Sequence, residues 1–181
     1  MILALDTSSA LTSVAVVDGT RVVVERSHLD PRRHAEAIGP MLAEVCGSLS
    51  RDGVDAVACG VGPGPYTGLR VGIAAAIALG LAWEVPVYGL CSLDAIAAQV
   101  RAERPGLEGV AVAADARRRE VYWAEYDAQG RRVAGPRVLT AEDAGVEAAH
   151  AHAAWVGRRV AELLDAGERV AEDRKSTRLN S

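Results

Sequence analysis

Positive charge is in short supply in this 181-residue chain. Its 20 Lys and Arg are outnumbered by 24 Asp and Glu, for a net charge of -4. Without a broad basic field the chain is not expected to hold nucleic acid strongly by itself, so any RNA connection should run through a partner. Cysteine is also sparse. Cys46, Cys59 and Cys91 are odd in number and scattered, which gives neither a disulfide framework nor a metal spacing. No charged leader precedes the strand-like "MILALD", and the longest apolar run, Val71 to Trp83, reads as too short to cross a bilayer. The expected location is the cytoplasm, with no membrane contact. The patterns G-x-x-x-x-G-K-[ST], G-x-S-x-G and H-E-x-x-H do not occur, which removes the common NTPase and hydrolase signatures. No metal site is expected either. His28 and His34 flank a helix start without an acidic partner at ligand spacing, and His150 and His152 would point to different sides of a helix. Lysine and asparagine occur once each, both within the closing "RKSTRLNS". That break in composition marks residues 174–181 as a non-native tail.

Half of the residues are hydrophobic, enough to bury a core in one domain or two small ones. "ILALD", "LTSVAVVD" and "RVVVERS" are β-branched runs, the last two joined by Asp18-Gly19, which predicts a three-strand meander. A helix is expected from Pro31, with Ile38, Met41, Leu42, Val45 and Leu49 at helical spacing. A strand at "DAVACGVG", a long helix from about Thr67 to Trp83, a strand at "VPVYGL" and a helix capped by Ser92 complete residues 1–104. After Arg104-Pro105-Gly106 the pattern restarts with "GVAVAAD", "EVYWAEYD" and "RRVAGPRVL", and Thr140 caps a short helix. Asp6 and Asp115 each end the first strand of a half, with a hairpin turn about a dozen residues on. This internal repeat predicts an α/β fold of actin-like, RNase H-like βββαβα lobes. Residues 1–104 form the first lobe and residues 105–173 an incomplete, truncated second one.

In that architecture the first aspartate holds a metal through water and the following hairpin wraps phosphate with backbone N–H groups. Asp6, Thr7 and Ser8 suit such a loop. The second half places Asp115 before Arg117, Arg118 and Arg119, which cannot close around phosphate as glycine does but can meet an anion as point charges or forks. A turn-capping Asp6 with solvated arginines explains the same residues, and both readings stand. In "GVGPGPYTGLRVG" the glycines expose N–H groups at a helix start. Gly68, Gly72, Ala76 and Gly80 then recur every four residues, beside a ridge of Leu69, Ile73 and Ile77. Glycine costs a helix roughly 1 kcal/mol per residue, so the stripe requires close packing, against the domain itself or, as the expectation runs, against a partner chain.

Taken together, "LALDTSS", "GPGPYTGLRVG" and "DARRREVYW" resemble the three hallmark segments of the TsaB family, over about residues 1–140. The resemblance implies a cytoplasmic, non-catalytic subunit that pairs with a catalytic paralogue, TsaD, and an ATPase, TsaE. That complex transfers a threonylcarbamoyl group to N6 of adenosine 37 in tRNA. It implies that this chain requires no cofactor, that ATP and Mg act in the assembled complex, that tRNA is met only through the complex, and that the chain forms a homodimer in isolation. The paralogue's two metal-binding histidines, four residues apart, correspond here to Ser92 and Ile96, and isoleucine cannot ligate a metal. The implied interface comprises His34, Ile38, Met41, Leu42 and Val45 on one helix. On the other it comprises Tyr66, Thr67, Gly68, Leu69, Arg70, Gly72, Ile73 and Ala76. Members usually continue into a final helix and strand that pack back on the first lobe, and this chain is expected to lack them. The competing expectation is an actin-like ATP-binding enzyme, a phosphotransferase or peptidase, using Asp6 and Asp115. A third, weaker expectation is tRNA contact through Arg117 to Arg119.

Overall fold

The structure, a computed structural model, describes residues 1–47 and 53–172. Leu49 and the tail at 174–181 therefore lie outside the described residues. Strand β1 (Ile2–Asp6) pairs antiparallel with β2 (Leu11–Asp18), and β2 pairs with β3 (Arg21–Leu29) across Gly19, whose φ of +57° suits glycine. On its other edge β1 runs parallel to β4 (Ala56–Gly60), followed by β5 (Val87–Leu90). The two-residue β9 (Ala171–Glu172) closes the order β3-β2-β1-β4-β5-β9.

Strand alternation distributes the core over both faces of this sheet. Leu3, Leu5, Val14, Val16, Val57 and Cys59 point to one side, where α1 (His34–Cys46) and α2 (Tyr66–Trp83) supply Ile38, Met41, Val45 and Ala76. Ile2, Ala4, Ala15, Val17 and Ala58 point to the other, toward α3 (Ser92–Glu103) and α5 (Ala153–Asp165) with Leu93, Ile96, Val156 and Val160. The second sheet is the antiparallel meander β6 (Gly109–Arg117), β7 (Glu120–Asp127) and β8 (Arg132–Thr140). Its Val110, Val112, Ala124 and Tyr126 join the same core as α3 and α5, and the Tyr126 hydroxyl donates to Asp94 at 2.6 Å. Thr140 caps α4 (Ala141–Ala144) by accepting the Asp143 N–H at 3.1 Å.

Four expectations require correction. Helix α5 and strand β9 follow the second meander in sequence but pack on the first sheet, so the division at residue 104 does not separate two independent units. They supply a returning helix and strand of the kind the chain was expected to lack. The α3 cap position is Cys91, and Ser92 is the first helical residue with its hydroxyl committed elsewhere. Finally, Tyr66–Arg70 extends the apolar run so that α2, at 18 residues, is by length and composition long and apolar enough to cross a membrane. Its small-residue stripe is nonetheless buried against the sheet.

Candidate functional site

The turn after β1 is held entirely from within. Asp6 is fully buried. Its Oδ1 accepts the Ser8 N–H at 2.8 Å and the Ser8 hydroxyl at 2.7 Å, and its Oδ2 accepts the Ser92 hydroxyl at 2.8 Å. The Ser92 oxygen in turn accepts the Gly62 N–H at 3.2 Å. Burial pushes the Asp6 carboxyl upward, against the lowering effect of Ser8 and Ser92. Gly64 lies so close over the turn that an added Cβ would stand 3.0 Å from the Ser8 Cα, with the Ser8 carbonyl nearer still. Asp6, Thr7 and Ser8 thus form a closed turn beneath the cleft between the lobes. All three side chains are buried by the chain itself, which is the arrangement of the turn-capping reading of Asp6.

Thr7 does something the sequence did not announce. Its hydroxyl donates to the Gly68 carbonyl at 2.8 Å and accepts the Gly72 N–H at 3.1 Å. Those are the two groups a regular helix would join directly, so the hydroxyl is inserted into the α2 ladder. Gly68 and Gly72 make room for it. A Cβ at Gly68 would meet the Thr7 carbonyl at 2.6 Å, and one at Gly72 would fall on the Thr7 hydroxyl.

This overturns the expected direction of the glycine stripe. Gly68, Gly72 and Ala76 face the chain's own β1 turn and sheet, and Gly80 faces Val87. His34, Ile38, Met41 and Val45 are likewise buried in the domain, not presented to a partner. Of the expected interface residues, Tyr66, Thr67 and Arg70 are exposed, and Leu42, Leu69 and Ile73 are half-buried. Tyr66 is 73% exposed, with the Arg70 guanidinium 5.4 Å from its ring centroid. The same side of α2 carries exposed Ala74, Ala78 and Leu81, and exposed Val61 lines a pocket with half-buried Ile73 and Ile77. The sequence reading missed Leu81 and Val61. A helix apolar all round carries no periodic signal of which side faces out.

In the second half, Asp115 Oδ1 accepts the Arg117 N–H at 3.1 Å, the same contact that Asp6 makes to Ser8, so the internal repeat is visible in its hydrogen bonds. Arg117, Arg118 and Arg119 all take left-handed backbone, with φ of +67°, +53° and +66°. Each such residue costs about 1–2 kcal/mol in an L-chain. Between the lobes lies a cavity of about 370 Å³, lined by Ser9, Arg32, His34, Thr67, Gly68, Asp115 and Arg117 among others. Asp115 and Arg117 reach it from the second sheet, while Arg118 does not line it.

Further polar contacts tie α5 and the segment leading into it to the first lobe. His150 and His152 precede α5 outside any helix, and His152, with extended backbone, is its N-cap residue. His150 Nδ1 lies 2.9 Å from the Ser9 hydroxyl. Glu25 on β3 accepts the Ser13 hydroxyl at 3.0 Å and the Ala154 N–H at 3.1 Å, with His152 Nδ1 at 3.7 Å. A carboxylate inside a β-branched strand was the one sequence sign of this network. Among the described residues no group of three His, Cys, Asp or Glu is arranged to hold a metal. Ile96 is 2% exposed within the core beside α5.

The chain matches the family profile described as TsaD: tRNA N6-adenosine threonylcarbamoyltransferase over residues 28–177. It is 44% identical over 146 residues to an uncharacterized protein of Mycobacterium tuberculosis, covering 78% of this chain and 66% of that one. It is 41% identical over 128 residues to the tRNA threonylcarbamoyladenosine biosynthesis protein TsaB of Escherichia coli, covering 69% of this chain and 54% of that one. The solved structure titled YeaZ from Pseudomonas aeruginosa superposes with a TM-score of 0.80 at 30% identity, covering 97% of this chain and 96% of that one. The chain thus spans about two-thirds or less of the length of these curated relatives. Sequence and fold agree, and the chain belongs to the TsaB/YeaZ family of tRNA threonylcarbamoyladenosine biosynthesis proteins.

Proposed function

We propose that the chain is a non-catalytic subunit that binds a TsaD-type catalytic paralogue and positions it for threonylcarbamoyl transfer to adenosine 37 of tRNA. In that role it needs no cofactor of its own, ATP and Mg act in the assembled complex with a TsaE-type ATPase, and the chain self-pairs when alone, in the cytoplasm. The observation that carries this reading is the state of the residues an enzyme of this architecture would use. Asp6 is walled in by Ser8, Ser92 and Gly60, Ser92 is spent on Asp6, and Ile96 is core. An ATP-dependent enzyme working through Asp6 would have to dismantle this turn to admit a metal and its water.

The surface best suited to a partner is the outer side of α2, where Tyr66, Arg70, Ala74, Ala78 and Leu81 stand out. An aromatic and an arginine at the edge of an apolar strip match the composition of protein interfaces. The test is light scattering of the chain mixed with the TsaD-type subunit. Wild type should form a complex and Leu81→Asp should not, while circular dichroism of the variant stays unchanged. Association that survives Leu81→Asp and Tyr66→Asp together would refute this surface. Mg-ATP turnover by the isolated chain, lost in Asp6→Asn, would refute the non-catalytic role.

A further inference from the structure

We propose that Thr7 is a positioning residue for association: its hydroxyl sets the rotation of α2 about its own axis and so decides which residues stand on the outer side. The partner that meets this side rests on the function proposed above, whereas the rotation is a property of the chain alone.

Hydration does not select the outer side of α2. From Val71 to Trp83 every residue is apolar or glycine, so no polar stripe turns toward water. Area burial by itself favours a different setting. Leu69, Ile73 and Ile77 lie one row from the stripe and carry far more apolar surface than Gly68, Gly72, Ala76 and Gly80. Yet the three large residues are half-buried, and the glycines and alanine face inward. The observed rotation instead brings the helix backbone against the turn after β1, where a Cβ at Gly68 would meet the Thr7 carbonyl at 2.6 Å.

Thr7 accounts for that choice. The residue is 1% exposed, and its hydroxyl donates to the Gly68 carbonyl at 2.8 Å and accepts the Gly72 N–H at 3.1 Å. Turning α2 by one row, about 100°, carries both groups away and leaves a buried hydroxyl unpaired. A single buried polar group that is satisfied in one register and orphaned in the others selects that register. The group is also held firmly in place. Asp6 before it accepts from Ser8 and Ser92, and Gly64 packs over the Ser8 carbonyl after it. With Gly68 and Gly72 fixed on Thr7, the row that holds Tyr66, Arg70, Ala74, Ala78 and Leu81 is the one left exposed.

The test compares Thr7→Val, which keeps the branched shape and removes the hydroxyl, with Thr7→Ser, which keeps the hydroxyl, in the full chain. NMR of methyl and amide groups should show one set of α2 signals for wild type and Thr7→Ser. Thr7→Val should show several sets, or exchange-broadened ones, while α5 stays single throughout. Calorimetric titration with the TsaD-type subunit reads the consequence. If the competent rotation falls to about a tenth of the population, association weakens about tenfold in Thr7→Val, and Thr7→Ser should stay near wild type. Val156→Ala, in the core on the opposite face of the sheet, lowers stability without touching α2 and should leave association unchanged, which separates loss of setting from loss of stability. Thr7→Ala is read in the same way should the valine variant not fold. One sharp set of α2 signals in Thr7→Val, association unchanged by it, or a Thr7→Ser protein as impaired as Thr7→Val would each overturn the role of Thr7. A wild-type chain that does not bind the subunit refutes the proposed function, and the NMR comparison then decides on Thr7.

Discussion

Replacing Gly72 with alanine tests the inserted Thr7 hydroxyl directly, because the intrinsic effect and the packing effect have opposite signs. In an exposed helix the change would stabilise by about 1 kcal/mol. Here the new Cβ falls on the Thr7 hydroxyl, with Thr7 Cβ and Cγ2 next at 3.4 Å. The hydroxyl has to leave, which breaks two buried hydrogen bonds, to the Gly68 carbonyl and from the Gly72 N–H. Each is worth about 1 kcal/mol net, and the hydroxyl left unpaired costs about 1–3 kcal/mol more, so Gly72→Ala should destabilise by roughly 3 kcal/mol. Thr7→Ala should cost about 2 kcal/mol for the lost bonds and methyl, since the ladder can then close between Gly68 and Gly72. In the double variant the methyl occupies vacated space and the alanine propensity is recovered, for a net loss near 1 kcal/mol, far less than the sum of the singles. Urea unfolding followed by circular dichroism measures all four corners of the cycle. Additive losses, or a Gly72→Ala protein as stable as wild type, would refute the insertion.

On the outer side of α2, Leu81→Asp and Tyr66→Asp should change stability by no more than about 0.5 kcal/mol while abolishing association, read by denaturant midpoint and light scattering. Gly72→Leu should instead fail to fold, and so cannot report on an interface. Grafting a histidine pair by Ser92→His with Ile96→His should give no zinc affinity by calorimetry and a loss of more than about 3 kcal/mol, because one hydroxyl is committed to Asp6 and the other position is core. At Glu25, burial pushes the carboxyl up, but bonds from His152, the Ala154 N–H and Ser13 bring it below its usual 4.5. Its stabilisation is therefore present above that pH and lost as pH falls through the lowered value. Glu25 holds the His152 imidazole above its usual 6.5, so that contribution is complete below 6.5 and lost as pH rises through the raised value. The midpoint difference between wild type and Glu25→Gln should be largest between pH 4.5 and 6.5. A difference that does not vary with pH would remove the ion pair from the account.

Local chemistry alone determined much of this protein. The two meanders, the Asp18-Gly19 turn, the Thr140 cap and the bounds of α2 follow from β-branched runs, turn residues and helical spacing that act within a few residues. The family was legible in three short segments. Which way α2 faces was not, since a helix apolar on every side can bury any of them. Only the tertiary fold, which brings Thr7 from β1 between Gly68 and Gly72, turned the small-residue stripe inward and left Tyr66 and Leu81 outside. The same holds for Asp6, whose role depends on Ser92, 86 residues away, and for His150 and His152, which meet Ser9 and Glu25 across more than a hundred residues. Sequence sets what each segment can form. Contacts between distant segments decide which faces are spent inside the molecule and which remain for a partner.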